Sequence, residues 1–241
     1  MYLQIETGNS PLIITVPHDG GIKIAGAPIR PEIERWTREF GEQRDQGALA
    51  CAIACRQSLV ELGMSATLIT FDLHRGHVDV NRDPDREPFV VPDEHQFADV
   101  YRGFQTEIDR AAGHSLSTFD RCLLIDVHTF CDPPRVPLDI VLGTNAGRTC
   151  SAALSQEICR FLSERYQIGH SPDREHGITG RYSGGYVVRG TADRFHQARV
   201  SNRFDAIQVE ICRQPTFLEH PEIVGTHLAQ AIFLTLQRER G

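Results

Sequence analysis

Two histidines stand where apolar runs stop. In "LIITVPHDGG" the run Leu12–Val16 ends at Pro17, and His18 is the first polar side chain beyond it. In "CLLIDVHTF" the run from Leu123 through Ile125 passes into Asp126, Val127 and His128. An acid and a histidine are costly to bury without partners, so a core strand that ends in them calls for a reason. Two neutral imidazoles and a carboxylate on rigid elements can make a metal site with one position left open for water. Asp45, in "RDQGA", can supply that carboxylate. Plainer readings stand beside these. A lone strand-end histidine is commonly a hydrogen-bonded structural residue, and Asp45 suits an ordinary helix N-terminus.

Other residues invite the same comparison. Asp126 shares a strand face with His128 and either orients a ligand or bonds backbone. Glu210, in "IQVEIC", is an acid near the end of an apolar run, open to two readings: an ion pair with an arginine, or a general base. Asn81 and Arg82 close "HVDVNR"; a guanidinium fork grips a carboxylate in a bidentate way, though Arg82 can equally pair with Asp83 or Asp85. "HRGH" places His74 and His77 at a metal-like spacing, but an extended backbone would turn them to opposite sides. No G-x-S-x-G, G-x-G-x-x-G or P-loop occurs, so serine-nucleophile and nucleotide-binding readings have no motif.

These groups need elements to position them. Leu12–Val16 reads as a buried strand and residues 20–31 as a Gly/Pro-punctuated loop. A helix is expected over 42–62, with Leu49, Ile53, Leu59 and Leu62 as its main large apolar residues and Gly63 as its stop. Residues 66–73 read as a strand, and "HVDVNR", with Val78 and Val80 alternating against polar residues, as a half-buried one. A helix over 94–112, strands over 122–128, 139–142 and 206–211, and helices over 150–166 and 224–238 complete the pattern. Residues 174–190 are rich in glycine and polar side chains. Short apolar strands alternating with helices predict an α/β fold: a largely parallel or mixed sheet with helices on both faces. Neither repeat nor linker interrupts it, so residues 1–241 are expected to form a single domain.

Composition narrows the partners. A net charge of -7 with no block of like charges points away from nucleic acid and anionic membranes. No segment has the length of a transmembrane helix and the N-terminus lacks a leader pattern. The 7 cysteines are scattered and never spaced as CxxC, which suits small core residues in a reducing, cytoplasmic setting. Cys51 and Cys55 fall one helical turn apart on an expected buried face. Lys23 stands alone against 24 arginines, so a single arginine means little without its setting.

Taken in order, "VPHDGG", "RDQGA", "VDVNR", "LLIDVH" and "QVEIC" resemble the motifs of the N-formylglutamate amidohydrolase (formylglutamate deformylase) family. The resemblance implies a zinc-carboxypeptidase-like three-layer α/β/α sandwich with a mixed, largely parallel central sheet. It implies one zinc ion on His18, Asp45 and His128, with Glu210 activating water and Arg75 facing the scissile carbonyl. Asn81 and Arg82 would hold a substrate carboxylate. Arg181 and Arg189, in "TGRYSGGYVVRG", would hold a second one. The implied reaction is hydrolysis of the amide of a small N-acylated acidic amino acid, foremost N-formyl-L-glutamate. Alternatives are another N-acyl amino acid, a short peptide, or a metal- or ligand-binding protein without catalysis; iron, cobalt or manganese can take such ligands as well as zinc. Tyr186, Thr129 and Val80 depart from the family pattern, and the departures bear on the substrate more than on the metal.

Overall fold

A computed structural model describes residues 2–41, 43–85, 95–131, 137–171, 182–197 and 203–238. In chain order its elements are β1 (Leu3–Glu6), β2 (Leu12–Val16), α1 (Pro31–Phe40), α2 (Ala48–Glu61), β3 (Thr67–Phe71), α3 (His95–Phe119), β4 (Cys122–Phe130), β5 (Ile140–Gly143), α4 (Ala152–Leu162), β6 (Ile168–Ser171), α5 (Tyr186–Gln197), β7 (Phe204–Cys212), α6 (Pro215–Glu219) and α7 (Pro221–Arg238).

The strands form one sheet in the order β1-β3-β2-β4-β7-β5-β6. Strands β3, β2, β4 and β7 run parallel; β1 is antiparallel to β3, and β5 to β7. Leu12, Ile14, Leu123, Ile125, Ile207 and Val209 face α2, α4 and α7. Ile13, Leu124 and Ala206 face α3 and α5. With both faces covered, β2 and β4 are buried along their whole length, which is why their sequences read as runs rather than alternations. Each fully buried Leu or Ile contributes about 1.5–3 kcal/mol. That layered core is what can hold Asp79 and Asp126, both fully buried, out of water.

Several sequence expectations shift. The 77–82 segment is not a strand but a tight turn region, with His77 N bonded to His74 O and Arg82 N to Asp79 O. The period-2 pattern arose because Val78 and Val80 are buried, but His77 and Asp79 are buried too. Helix α2 starts at Ala48, so Asp45 lies in the turn before it, not in the helix. Its inward face is made of Ala48, Cys51, Ala52, Cys55 and Leu59, while Ile53 and Leu62 are exposed. The buried Cys51 and Cys55 fit the expected helical spacing. Strands β1 and β6 and helices α1, α5 and α6 were not anticipated. No helix among the described residues is long and apolar enough to cross a membrane.

Candidate active site

The parallel strands β2, β4 and β7 bring their carboxyl ends to one edge of the sheet, the place where open α/β folds bind ligands. His18 lies two residues beyond β2, and His128 and Glu210 share a rung of the β4–β7 register. The imidazole centroids of His18 and His128 are 4.9 Å apart. Donor atoms of His18, Asp45 and His128 lie within 4.8 Å of one another, and all three residues are buried.

Each ligand candidate is braced. Asp45 N bonds His18 O at 3.1 Å. The neighbouring Asp19 accepts from Arg44 Nη2 at 2.9 Å and from Leu49 N at 2.9 Å, clamping the turn on both sides of Asp45. His18 donates from Nε2 to Asp79 Oδ1 at 2.6 Å, and His128 from Nε2 to Asp126 Oδ2 at 2.8 Å. Thr15 in turn donates to Asp126 Oδ1 at 2.6 Å from the adjacent strand. Both rings therefore turn Nδ1 toward Asp45 Oδ2, at 3.6 Å from His18 and 2.7 Å from His128. Carboxylates that fix the far nitrogen are the usual support of metal-binding histidines. The donor set fits a divalent cation.

Electrostatics agree with this geometry. Burial would raise the Asp45 pKa, but hydrogen bonds from His128 and His18 hold the carboxyl well below its usual range. Burial would lower the His128 pKa, and Asp126 and Asp45 outweigh it to hold the ring well above the usual imidazole value. Ligation must displace that proton.

Asp79 is the residue that sequence reading missed. Besides His18 it receives Arg75 Nη2 at 2.8 Å and Arg82 Nε at 3.3 Å. Arg30 Nη1 lies 3.1 Å away, a charge contact without hydrogen-bond alignment. Arg75 also stands 3.8 Å from Asp45. The acid in "VDVNR" was visible as part of a motif; its arginine partner Arg30 and its histidine partner His18 are far off in the chain.

His18, Asp45, Arg75, Asn81, Arg82, His128, Arg189 and Glu210 all line one cleft of about 770 Å³. Arg181 lies outside the described residues. Asn81 has a structural engagement: its Oδ1 accepts from Val187 N at 2.7 Å, at the start of α5. Its amide nitrogen is 3.2 Å from His128 Nε2, a contact between two donors when that ring nitrogen bonds Asp126. Arg44 and Arg213 also line the cleft, as does Tyr182, whose backbone is left-handed with φ 57°. Such a conformation is uncommon for a bulky residue and marks local strain. The rival pair is excluded from this site. His77 contacts Pro28 O and accepts from Ile24 N, fixing the 20–31 loop, and His74 Nδ1 accepts from Gly76 N.

Glu210 is 6% exposed. Burial pushes its carboxyl up to about 7, against the lowering influence of His128. Gln208 Nε2 donates to it, and Gln208 Oε1 accepts from Gly185 N. Gly185 is thus tied to the base through Gln208, and it also abuts Asn81: a Cβ there would lie 2.1 Å from Asn81 Nδ2. Gly185→Ala should therefore cost about 1–3 kcal/mol, as overpacking does, read from the urea midpoint. An unchanged midpoint would mean the turn before α5 shifts freely.

The family model for N-formylglutamate amidohydrolase matches residues 92–215, just over half of the chain. That span contains His128 and Glu210; His18, Asp45 and Asp79 precede it. Among solved structures, the N-formylglutamate amidohydrolase from Ralstonia eutropha JMP134 is similar with a TM-score of 0.69 and 19% identity, over 100% of this chain and 99% of that one. A gene product from Agrobacterium tumefaciens is similar with a TM-score of 0.63 and 14% identity, over 100% and 96% of the two chains. At such identities these likenesses speak for the α/β fold alone. No curated protein matches.

Proposed function

This chain belongs to the N-formylglutamate amidohydrolase family, and from that premise we propose that it hydrolyses the amide of a small N-acylated acidic amino acid with a bound zinc ion. The leading substrate is N-formyl-L-glutamate, giving formate and L-glutamate. The observation that carries this reading is the convergence of His18, Asp45 and His128 beside a buried glutamate in an arginine-lined cleft.

His18 Nδ1, His128 Nδ1 and Asp45 Oδ2 would hold the cation. Bound there, zinc supplies Lewis acidity, polarising a carbonyl and bringing the pKa of water toward about 7. Glu210 takes a proton from the attacking water and later delivers it to the leaving amine, as a general base that turns general acid. Arg75, fixed on Asp79, offers a guanidinium to the oxyanion that develops on the carbonyl; one such donor is worth about a hundredfold or more in rate. Arg82 and Arg189 line the same cleft and supply positive charge that draws in an acidic group. Arg181 keeps the same proposed role, while Asn81 acts through α5, whose first turn it holds.

The test is metal content of the purified protein alongside formate release from N-formyl-L-glutamate and a panel of N-acyl amino acids. A metal-loaded protein that cleaves none of them ends the proposal. Cleavage confined to neutral side chains replaces the substrate but keeps the reaction.

A pH dependence follows from Glu210. The base must be ionised, so kcat/KM should fall as pH drops through its pKa, tenfold per unit below it. A bound cation lowers that pKa from the value of about 7 set by burial, so the acid limb should lie between there and the ordinary glutamate value of about 4.3. The profile is measured with zinc in excess. A flat profile through that interval would remove Glu210 as the base.

A further inference from the structure

Most guanidiniums in the cleft are already committed to acids. Arg75 and Arg82 reach Asp79, and Arg44 pairs with Asp19. Arg189 and Arg213 line the cleft and pair with no carboxylate among the described residues.

Arg213 follows Glu210 by three residues, just past the end of β7. Its Nη1 donates to Arg44 O at 2.9 Å, and its backbone nitrogen to Phe130 O at 2.8 Å. Its Nε is buried with no acceptor. Thr129 lines the same cleft, is 6% exposed, and has a buried hydroxyl with no partner. Thr129 stands opposite Ile211 in the β4–β7 register, and the next rung pairs Phe130 with Cys212. Arg75 Nε and Arg189 Nε in the same cleft are unpartnered as well, but Arg213 and Thr129 lie together at the end of one strand pair, beside the rung of His128 and Glu210. Buried donors are nearly always satisfied in native proteins, and an exception calls for a partner that the chain itself does not provide.

We propose that Arg213 and Thr129 form a carboxylate-binding corner, a specificity determinant for a substrate with two acidic groups. Arg189, on the neighbouring helix, takes the other group. A carboxylate has the lone pairs that a guanidinium edge and a hydroxyl both require. This inference rests on the amidohydrolase reading above and extends it to Arg213, which no motif singled out, and to Thr129, named so far only as a departure from the family pattern.

The test uses zinc-loaded protein and three substrates: N-formyl-L-glutamate, N-formyl-L-glutamine without the side-chain acid, and N-formyl-4-aminobutyrate without the α-carboxylate. Arg213→Gln keeps an amide donor for Arg44 O and removes the charge. It should lower kcat/KM by about 10- to 150-fold, the range for a hydrogen bond to a charged group, on the diacid and on one monoacid. The other monoacid, lacking the group that Arg213 holds, should change little. Thr129→Val, nearly isosteric, removes a hydrogen bond to the same charged group and should give the same selective pattern within the same range of about 10- to 150-fold, and Arg213→Lys should recover part of the loss. An equal penalty on all three substrates, or none on any, overturns the proposal.

If the wild type cleaves none of the three, the amidohydrolase reading fails, and calorimetry with glutarate decides the corner by itself. Glutarate bound by wild type and weakened by Arg213→Gln and Thr129→Val upholds it; equal affinity in all, or no binding to wild type, refutes it. Should Arg213→Gln fail to fold, Thr129→Val and Arg213→Lys carry the same comparisons.

Discussion

Glu210→Gln should cut kcat for formate release by about 10²- to 10⁴-fold, the span expected when a general base is lost, while zinc content stays at the wild-type level. The substitution preserves shape, and glutamine can still accept from Gln208 Nε2 through its carbonyl oxygen. Glu210 is absent from the group of donors that close on one point, so metal binding does not need it. What glutamine cannot do is accept a proton. The loss should therefore fall on kcat, with KM little changed, because the interaction removed is made in the transition state and not in substrate binding. The measurements are steady-state kinetics and metal analysis on the same preparation. Near-wild-type kcat would take Glu210 out of the reaction, and a protein stripped of zinc would make it a ligand instead of a base.

Much of this centre was legible because chain chemistry and fold coincide at the strand ends. His18 and His128 follow apolar runs that can only be buried strands, and parallel strands gather their carboxyl ends at one edge. Their pairing needed only that β2 and β4 be neighbours. Asp45 was legible as a residue but misplaced: the expected helix start at 42 put it in the first turn, whereas Gly47 and Asp19 set the start at Ala48.

The residues that escaped are those whose meaning lies wholly in distant partners. Asp19 reads as part of a loop until Arg44 and Leu49 fold against it. Arg213 looks ordinary, and Thr129 no more than a departure from a family pattern, until the register brings their strand ends together. The fold shows the same division. Helix α1 has a sequence so polar that Ile33 alone among its described side chains is fully buried, and β1 alternates between half-buried and exposed residues at the sheet edge. Neither carries the apolar signal by which a core element is recognised. The "HVDVNR" turn failed for the opposite cause. His77, Val78, Asp79 and Val80 are all buried, so the alternation of valines and polar residues reports no sheet face.

Asp79→Asn should destabilise the fold by about 3–5 kcal/mol, the cost of removing one partner of a buried ion pair. Zinc affinity should weaken about 10- to 100-fold, as for other outer supports of metal-binding histidines. Both effects have one origin. Asp79 is fully buried and answers three guanidiniums as well as His18, and Arg30 among them is itself 3% exposed. Neutralising the acid leaves those cations facing one another without their shared counter-charge, and replaces the charged acceptor that orients the His18 ring with a weaker neutral one. Urea unfolding of both proteins after chelation isolates the folding cost from the metal contribution, since a ligand that binds only the native state adds its own stability. Arg30→Met in the Asp79→Asn background should then recover part of the loss, because it removes a stranded charge; neighbours of this kind couple by about 0.5–3 kcal/mol. The sign of the pH dependence is fixed as well. Burial would raise the Asp79 pKa, but Arg75, His18 and Arg82 together hold it well below the ordinary value. Its stabilisation is therefore present above the unfolded pKa of about 3.9 and lost only as pH falls through the lower native value. The gap between wild type and Asp79→Asn should stay open from about pH 5 to about pH 8. A gap under about 1 kcal/mol, the worth of an exposed ion pair, would mean that water reaches the arginines and that Asp79 does not hold His18 by charge.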